Sequence, residues 1–155
     1  MAVQRLVDFL NQTHTFYSTV KHEPAYSALS SAKSAHISAK EMVKSVLIKL
    51  DGSYTLAVLP SNAKIDFKKL KQITGSQNAT LAEEEDLETI FPDCTTGAVP
   101  PLGNLYHIPV ISDSLITCHD EMFFEAGSHR EIMKMRISDY LKLTHPKIAA
   151  IHRNY

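Results

Sequence analysis

Tryptophan is absent from this chain, cysteine occurs twice, glycine five times, and aromatic residues make up only 8%. Each scarcity closes off a class of protein. Two isolated thiols, Cys94 and Cys118, cannot build a disulfide framework and lack the paired spacing of a structural zinc site. We expect them to be buried or idle. Net charge is also nearly absent, -1 with an isoelectric point near 6.7, so no bulk field draws the chain to nucleic acid or membrane. Any such contact must be local. No apolar run approaches the roughly 18 residues of a membrane helix, and the opening MAVQRLVDFLNQTH lacks the uninterrupted apolar core of a secretion signal. A cytoplasmic protein is the expectation.

What is present suits one globular domain over residues 1–155, with 44% hydrophobic and 21% charged residues. Val3, Leu6, Val7 and Leu10 recur at helical spacing and define an opening amphipathic helix. TFYSTVKH reads as a strand, followed by a short Ala/Ser-rich helix that Ser27 can cap. In MVKSVLIKLDGSYTLAVLP two strand-like runs flank Asp51-Gly52, a pair that readily takes the positive φ angles of a tight hairpin turn. Asp66 and Gly75 bracket a helix with Phe67, Leu70 and Ile73 inward, and a second helix runs from about Glu83 to Ile90. Its acidic run, Glu83 to Asp86, lies in the first turn, where the helix dipole favours negative charge over any metal role. IPVISD, EMFFEAG and REIMKMRI complete the strands, and Ser138 opens a last helix that stops before Pro146. The sum is a mixed α/β fold without internal repeats.

Three features stand out chemically. Alternation in MVKSVLIK puts Lys44 on one face with Met42, Val46, Ile48 and Leu50, so a charge points toward the core. Such an ammonium must find a structural partner, snorkel to the rim, or face an anionic ligand. TTGAVPPLG sets Pro100 and Pro101 between Gly97 and Gly103, a segment stiff in the middle and free at its ends. Its remaining N–H groups, at Gly97, Ala98, Val99 and Leu102, could point at a ligand carbonyl or simply at water. In EAGSHRE the residues Gly127, Ser128 and His129 form a turn, and adjacency of Ser128 and His129 does not make a catalytic pair. The remaining histidines, His22, His36 and His107 among them, show no ligand spacing.

In this order, MVKSVLIK, then GAVPPLG, then AGSHREIMKMRISDYLKL resembles the YbaK-type aminoacyl-tRNA deacylase family, the free-standing relatives of the editing domain inserted in bacterial prolyl-tRNA synthetases. The resemblance spans the VKH strand to the terminal helix. It implies a single compact α/β domain with a curved, mostly antiparallel sheet flanked by helices. The implied activity is trans-editing: hydrolysis of the ester joining a wrong, small amino acid to a tRNA, the proline tRNA in the first instance, without metal or cofactor. The implied partners are the aminoacyl-tRNA acceptor end and a prolyl-tRNA synthetase, with no membrane and no DNA.

Carried over by residue, Lys44 falls on the family's near-essential lysine, whose role would be electrostatic positioning of the terminal nucleotide. Gly97, Ala98, Val99, Pro100, Pro101 and Gly103 fall on the loop whose backbone grips the aminoacyl carbonyl. Gly127, Ser128 and His129 match a third pocket element, and His22 a pocket-proximal position. His107, after Tyr106, departs from the small residue common in relatives. Lys21, Lys40, Lys49 and Arg130 join Lys44 as cations for the acceptor end. Two other functions compete: a module that binds aminoacyl-tRNA or a synthetase without hydrolysis, and a hydrolase with Cys94 or Cys118 as nucleophile.

Overall fold

The computed structural model describes residues 2–21 and 27–153. Helix α1 (Gln4–Gln12) buries Leu6 and Leu10 completely, and the N–H of Val3 at its start bonds the Ala126 carbonyl at 2.8 Å. Strand β1 (Ser18–Lys21) follows, shorter than the TFYSTVKH run because Phe16 is 81% exposed before pairing begins. Ser27 and Ser30 cap helix α2 (Ala28–Ser34) reciprocally, each side chain accepting from the other's backbone N–H.

Strands β2 (Val43–Leu50) and β3 (Ser53–Pro60) form the expected hairpin, with φ of 49° at Asp51 and 87° at Gly52. Helix α3 (Phe67–Thr74) is capped by Asp66, which accepts from the N–H groups of Lys68 and Lys69, and is ended by Gly75 in a left-handed conformation. Strand β4 (Ala79–Leu81) and helix α4 (Glu84–Ile90) come next, the helix carrying its acids in the first turn. Then come β5 (Val110–Asp113), β6 (Glu121–Glu125), β7 (Glu131–Arg136), α5 (Ile137–Thr144) and β8 (Lys147–Ala149). The last helix departs from expectation at its start: it begins one residue before Ser138, after Arg136, with no side-chain cap.

Two sheets result. One is antiparallel in the order β1-β7-β6; the other runs β4-β2-β3-β5-β8, with β3-β5 and β5-β8 parallel and the remaining pairs antiparallel. A single bridge from Met42 to Phe123 joins them. The larger core lies between the three-stranded sheet, α1, α5 and one face of the five-stranded sheet, built on Leu6, Leu47, Val58, Phe124, Met133 and Tyr140. A smaller core on the opposite face gathers Ile48, Leu59 and Ile111 under Leu70 of α3. With apolar neighbours on both faces, β3 is buried continuously from Thr55 to Pro60. The short β4 and β8 carry no alternating pattern and escape a sequence reading.

Gly103 is buried for a packing reason: a Cβ there would stand 2.6 Å from the Ile108 carbonyl oxygen and 2.7 Å from Val110 Cγ2. Its lack of a side chain therefore serves the fold rather than the approach of a ligand, which corrects the expectation for this residue. A Gly103→Ala substitution is expected to lower the urea midpoint, with a loss of about 1–3 kcal/mol from overpacking against backbone that cannot yield; an unchanged midpoint would contradict the packing argument.

Candidate active site

Residues 95–103 are not an ordinary surface turn. Gly97 is exposed, but Ala98, Val99, Pro100, Pro101, Leu102 and Gly103 are all buried, with Val99 and Leu102 in the larger core. A buried segment must satisfy its carbonyls from within, and here three carbonyls of residues 96–101 have donors from other elements. Nε2 of His129 lies 3.0 Å from the Thr96 carbonyl, the Gly127 N–H donates to Ala98 at 2.9 Å, and the Tyr140 hydroxyl donates to Pro101 at 2.9 Å.

Peptide geometry turns these inward bonds into outward donors. In a trans peptide the C=O of one residue and the N–H of the next point opposite ways, and the chain has no cis bond among the described residues. Anchoring the Thr96 carbonyl therefore directs the Gly97 N–H away from His129, and anchoring the Ala98 carbonyl does the same for the Val99 N–H. Neither N–H has a partner among the described residues. The Ala98 N–H, by contrast, is consumed in a turn to the Thr95 carbonyl at 3.0 Å. Of the donors the sequence offered, those of Gly97 and Val99 are left without a partner among the described residues.

Gly97 holds a φ of 85°, and a Cβ there would meet only the His129 ring, at 3.6 Å. Its glycine answers to conformation and access. Gly127, with φ of 101°, is packed so tightly on α1 that a Cβ would sit 2.3 Å from Val3 Cγ2. The Ser128 hydroxyl accepts from the Arg130 N–H at 3.4 Å and makes no pair with His129. Nε2 of His129 bonds Thr96, while Nδ1 lies 2.6 Å from Glu125 Oε2, an ion-pair contact without the alignment of a hydrogen bond. This histidine is a strut of the loop.

The loop's stem is clamped by α1. Arg5 pairs with Asp93 at 2.8 Å and stacks 4.4 Å from the centre of the Tyr106 ring, and the Tyr106 hydroxyl donates to Asp93 at 3.0 Å. Cys94 lies in this cluster, 3.2 Å from the Tyr106 hydroxyl, and burial pushes its thiol up to about 11. It is not a thiolate near neutral pH, which removes the chemical basis of Cys94 as nucleophile. His107, in a left-handed conformation after a 3-10 helix at Gly103–Tyr106, is exposed and ends that turn.

Lys44 belongs to β2, to neither the loop nor the turn. It shares the smaller-core face of β2 with Val46, Ile48 and Leu50 as expected, while Met42, just before the strand, packs instead with Ala28, Ala32 and Ile132. The side chain is half-buried, has no hydrogen bond or ion pair among the described residues, and pairs in register with Leu59. Partial burial lowers its pKa, and the neighbouring Lys64 charge lowers it further. No acid among the described residues forms an ion pair with it, so the ammonium has no counter-charge there. Lys49 is committed elsewhere, 3.3 Å from Asp86, while Lys21, Lys40 and Arg130 are exposed. His22 lies outside the described residues. Glu125 is the residue the sequence reading missed; its signal was an acid four residues before His129, across a glycine turn, on a strand of apolar neighbours.

An inward lysine together with a loop built to present backbone N–H groups defines a site for an acyl group attached to an anionic carrier. Residues 22–143 match the aminoacyl-tRNA editing domain, and the chain belongs to that family. It is accordingly an aminoacyl-tRNA deacylase, a hydrolase that acts on mischarged tRNA in trans. A relative from Escherichia coli (strain K12), the multifunctional Ser/Thr-tRNA deacylase ProXp-y, is 24% identical over 155 residues, covering 97% of this chain and 92% of that protein. Among solved structures, that of hypothetical protein APE2540 superposes with a TM-score of 0.87 at 14% identity, covering 97% of this chain and 100% of that one. The structure of a candidate trans-editing enzyme for prolyl tRNA synthetase gives 0.84 at 18% identity, covering 98% and 97%. Both likenesses concern the fold.

Tyr140→Phe removes the donor to the buried Pro101 carbonyl while keeping the ring. The variant is expected to lose about 1–3 kcal/mol in urea unfolding, the range for stranding a buried polar group; a loss near zero would mean that the loop finds another donor.

Proposed function

We propose that this chain, acting as one editing domain over residues 1–155, removes a small wrong amino acid from the acceptor end of a tRNA, that of proline in the first instance. The observation that carries the reading is the pair of unpartnered N–H groups at Gly97 and Val99, turned outward by the inward anchoring of the Thr96 and Ala98 carbonyls. These donors suit the ester carbonyl oxygen and strengthen as it becomes an oxyanion during attack by water or the ribose hydroxyl. Pro100 and Pro101 stiffen the clamp so that little reorganisation accompanies reaction. Gly127, Ser128 and His129 close the far side of the pocket, with His129 shaping it rather than moving protons.

Lys44 supplies the charge for the phosphate or sugar end of the terminal nucleotide. A half-desolvated ammonium beside Lys64 gains more from an incoming anion than an exposed lysine would. The cations around it are few, so tRNA binding is salt-sensitive and confined to the single-stranded end. Such a substrate places the protein in the cytoplasm, where translation occurs, and makes a prolyl-tRNA synthetase a natural partner. Serine and threonine, specified in the name of the Escherichia coli relative, join alanine and cysteine as candidate acyl groups.

The test is deacylation of proline tRNA charged with alanine, cysteine, serine or proline, together with seryl- and threonyl-tRNA. Wild type is expected to release one or two wrong amino acids and to spare prolyl-tRNA. Lys44→Ala should reduce turnover by at least about tenfold, ~1.4 kcal/mol, while remaining folded. Retention of charged tRNA without ester loss would instead identify a binding module. Gly97→Val, which puts a branched side chain where φ is 85°, should cost roughly a hundredfold, as for loss of one oxyanion donor. Normal hydrolysis by that variant would assign the loop a purely structural role.

A further inference from the structure

Among the described residues two carboxylates are buried, and their surroundings differ. Asp113, fully buried, accepts from the N–H groups of Leu115 and Ile151 and lies 2.9 Å from His152 Nδ1. Glu125, 3% exposed, receives no backbone N–H at all; His129 Nδ1 is 2.6 Å from its Oε2, and the Ser31 hydroxyl is its other polar neighbour. We propose that Glu125 is a positioning residue that acts through His129 on the ester clamp, fixing which imidazole nitrogen carries the proton toward Thr96. The proposal rests on the reading of the 95–103 loop as that clamp.

Proton arithmetic carries the inference. Thr96 offers a carbonyl, which can only accept, so the 3.0 Å contact requires a hydrogen on Nε2. The 2.6 Å contact between Nδ1 and Oε2 then needs one more proton, shared between imidazole and carboxyl. If that proton leaves, a carboxylate faces the Nδ1 lone pair. Moving the remaining hydrogen to Nδ1 restores that contact but sets the Nε2 lone pair against the Thr96 oxygen. Only the state with the shared proton makes both bonds, and the Thr96 bond is what turns the Gly97 N–H outward.

The surroundings hold the proton in place. Burial pushes the Glu125 carboxyl above its usual range, opposed by His129 and by Ser31 of α2. From β7 the facing residue is the apolar Ile132, from the loop come only the Thr96 carbonyl and the Gly97 backbone, and the turn's own Arg130 is exposed, with Glu131 following at the start of β7. Burial holds the Glu125 proton above the usual carboxyl range, and its loss at higher pH sets a carboxylate against the Nδ1 lone pair, so activity falls on the alkaline side.

Glutamine separates this role from simple packing. In Glu125→Gln the amide donates to Nδ1, leaving a neutral imidazole with its hydrogen on Nε2, the same two bonds with nothing to titrate. Deacylation should be followed from pH 6 to 9 with the uncatalysed ester loss subtracted. Glu125→Ala is expected to lose between about tenfold and a hundredfold in kcat, the range for a misplaced reacting group, with KM changed less. Glu125→Gln should keep most of the activity and lose the alkaline fall. A fully active Glu125→Ala, or a Gln variant that retains the wild-type alkaline limb, overturns the proposal. Should the Ala variant fail to fold, the Gln profile decides alone. Nitrogen-15 shifts of His129 read the strut without any tRNA: a hydrogen held on Nε2 in wild type and Gln variant supports it, and mixed tautomers in wild type sink it. If no charged tRNA is hydrolysed by wild type, the functional reading fails while these shifts still decide the strut.

Discussion

The need to satisfy the carbonyls of one buried loop organises much of this molecule. Between Ala98 and Gly103 the chain is interior, and two of its residues are prolines without an N–H to offer. Backbone donors within the segment are therefore too few for its acceptors. Part of the shortfall is met by a turn glycine and a buried tyrosine, and a histidine braces the Thr96 carbonyl just before the buried stretch; they come from the β6–β7 connection and from α5. Each inward bond rotates a peptide plane, and each rotated plane presents its N–H on the other side. The chemistry of the site is a by-product of how the fold solves its own hydrogen-bond problem.

The same constraint explains why glycines near the loop are not equivalent. Gly97 is free to be approached and needs its positive φ; Gly103 and Gly127 have neighbours where a side chain would go. Sequence spacing shows three glycines framing two short segments. Only packing divides them into one that serves the ligand and two that serve the scaffold.

Much of the fold was legible because local rules and tertiary structure agreed. Asp51-Gly52, Ser27, Asp66 and Gly75 each specify a backbone conformation by their own chemistry, and the structure adopts all four. Ser138 failed because the chain enters α5 directly from β7, and β4 and β8 failed because three residues cannot display a period. Of the site, the loop and turn were visible as residue types, but their meeting depends on contacts across some thirty residues, such as His129 to Thr96. Glu125 was hidden by a rule that usually holds, that acids in a strand mark its wet face.

Lys44 raises a different point, because no acid among the described residues pairs with it. An unpaired, half-buried cation is unfavourable in the free protein, and Lys64 adds to the cost. Evolution of a more stable protein would replace or pair it. Pairing it permanently, however, would cancel the charge that an incoming phosphate is to meet, and moving it to the surface would surrender the weak screening that makes the attraction effective. In a chain whose net charge is -1, long-range attraction cannot gather tRNA, so recognition falls on a few local contacts. On the proposed reading, a lysine held without a counter-ion among the described residues gives such a contact its strength, and the stability forgone in the free protein returns when the anion binds.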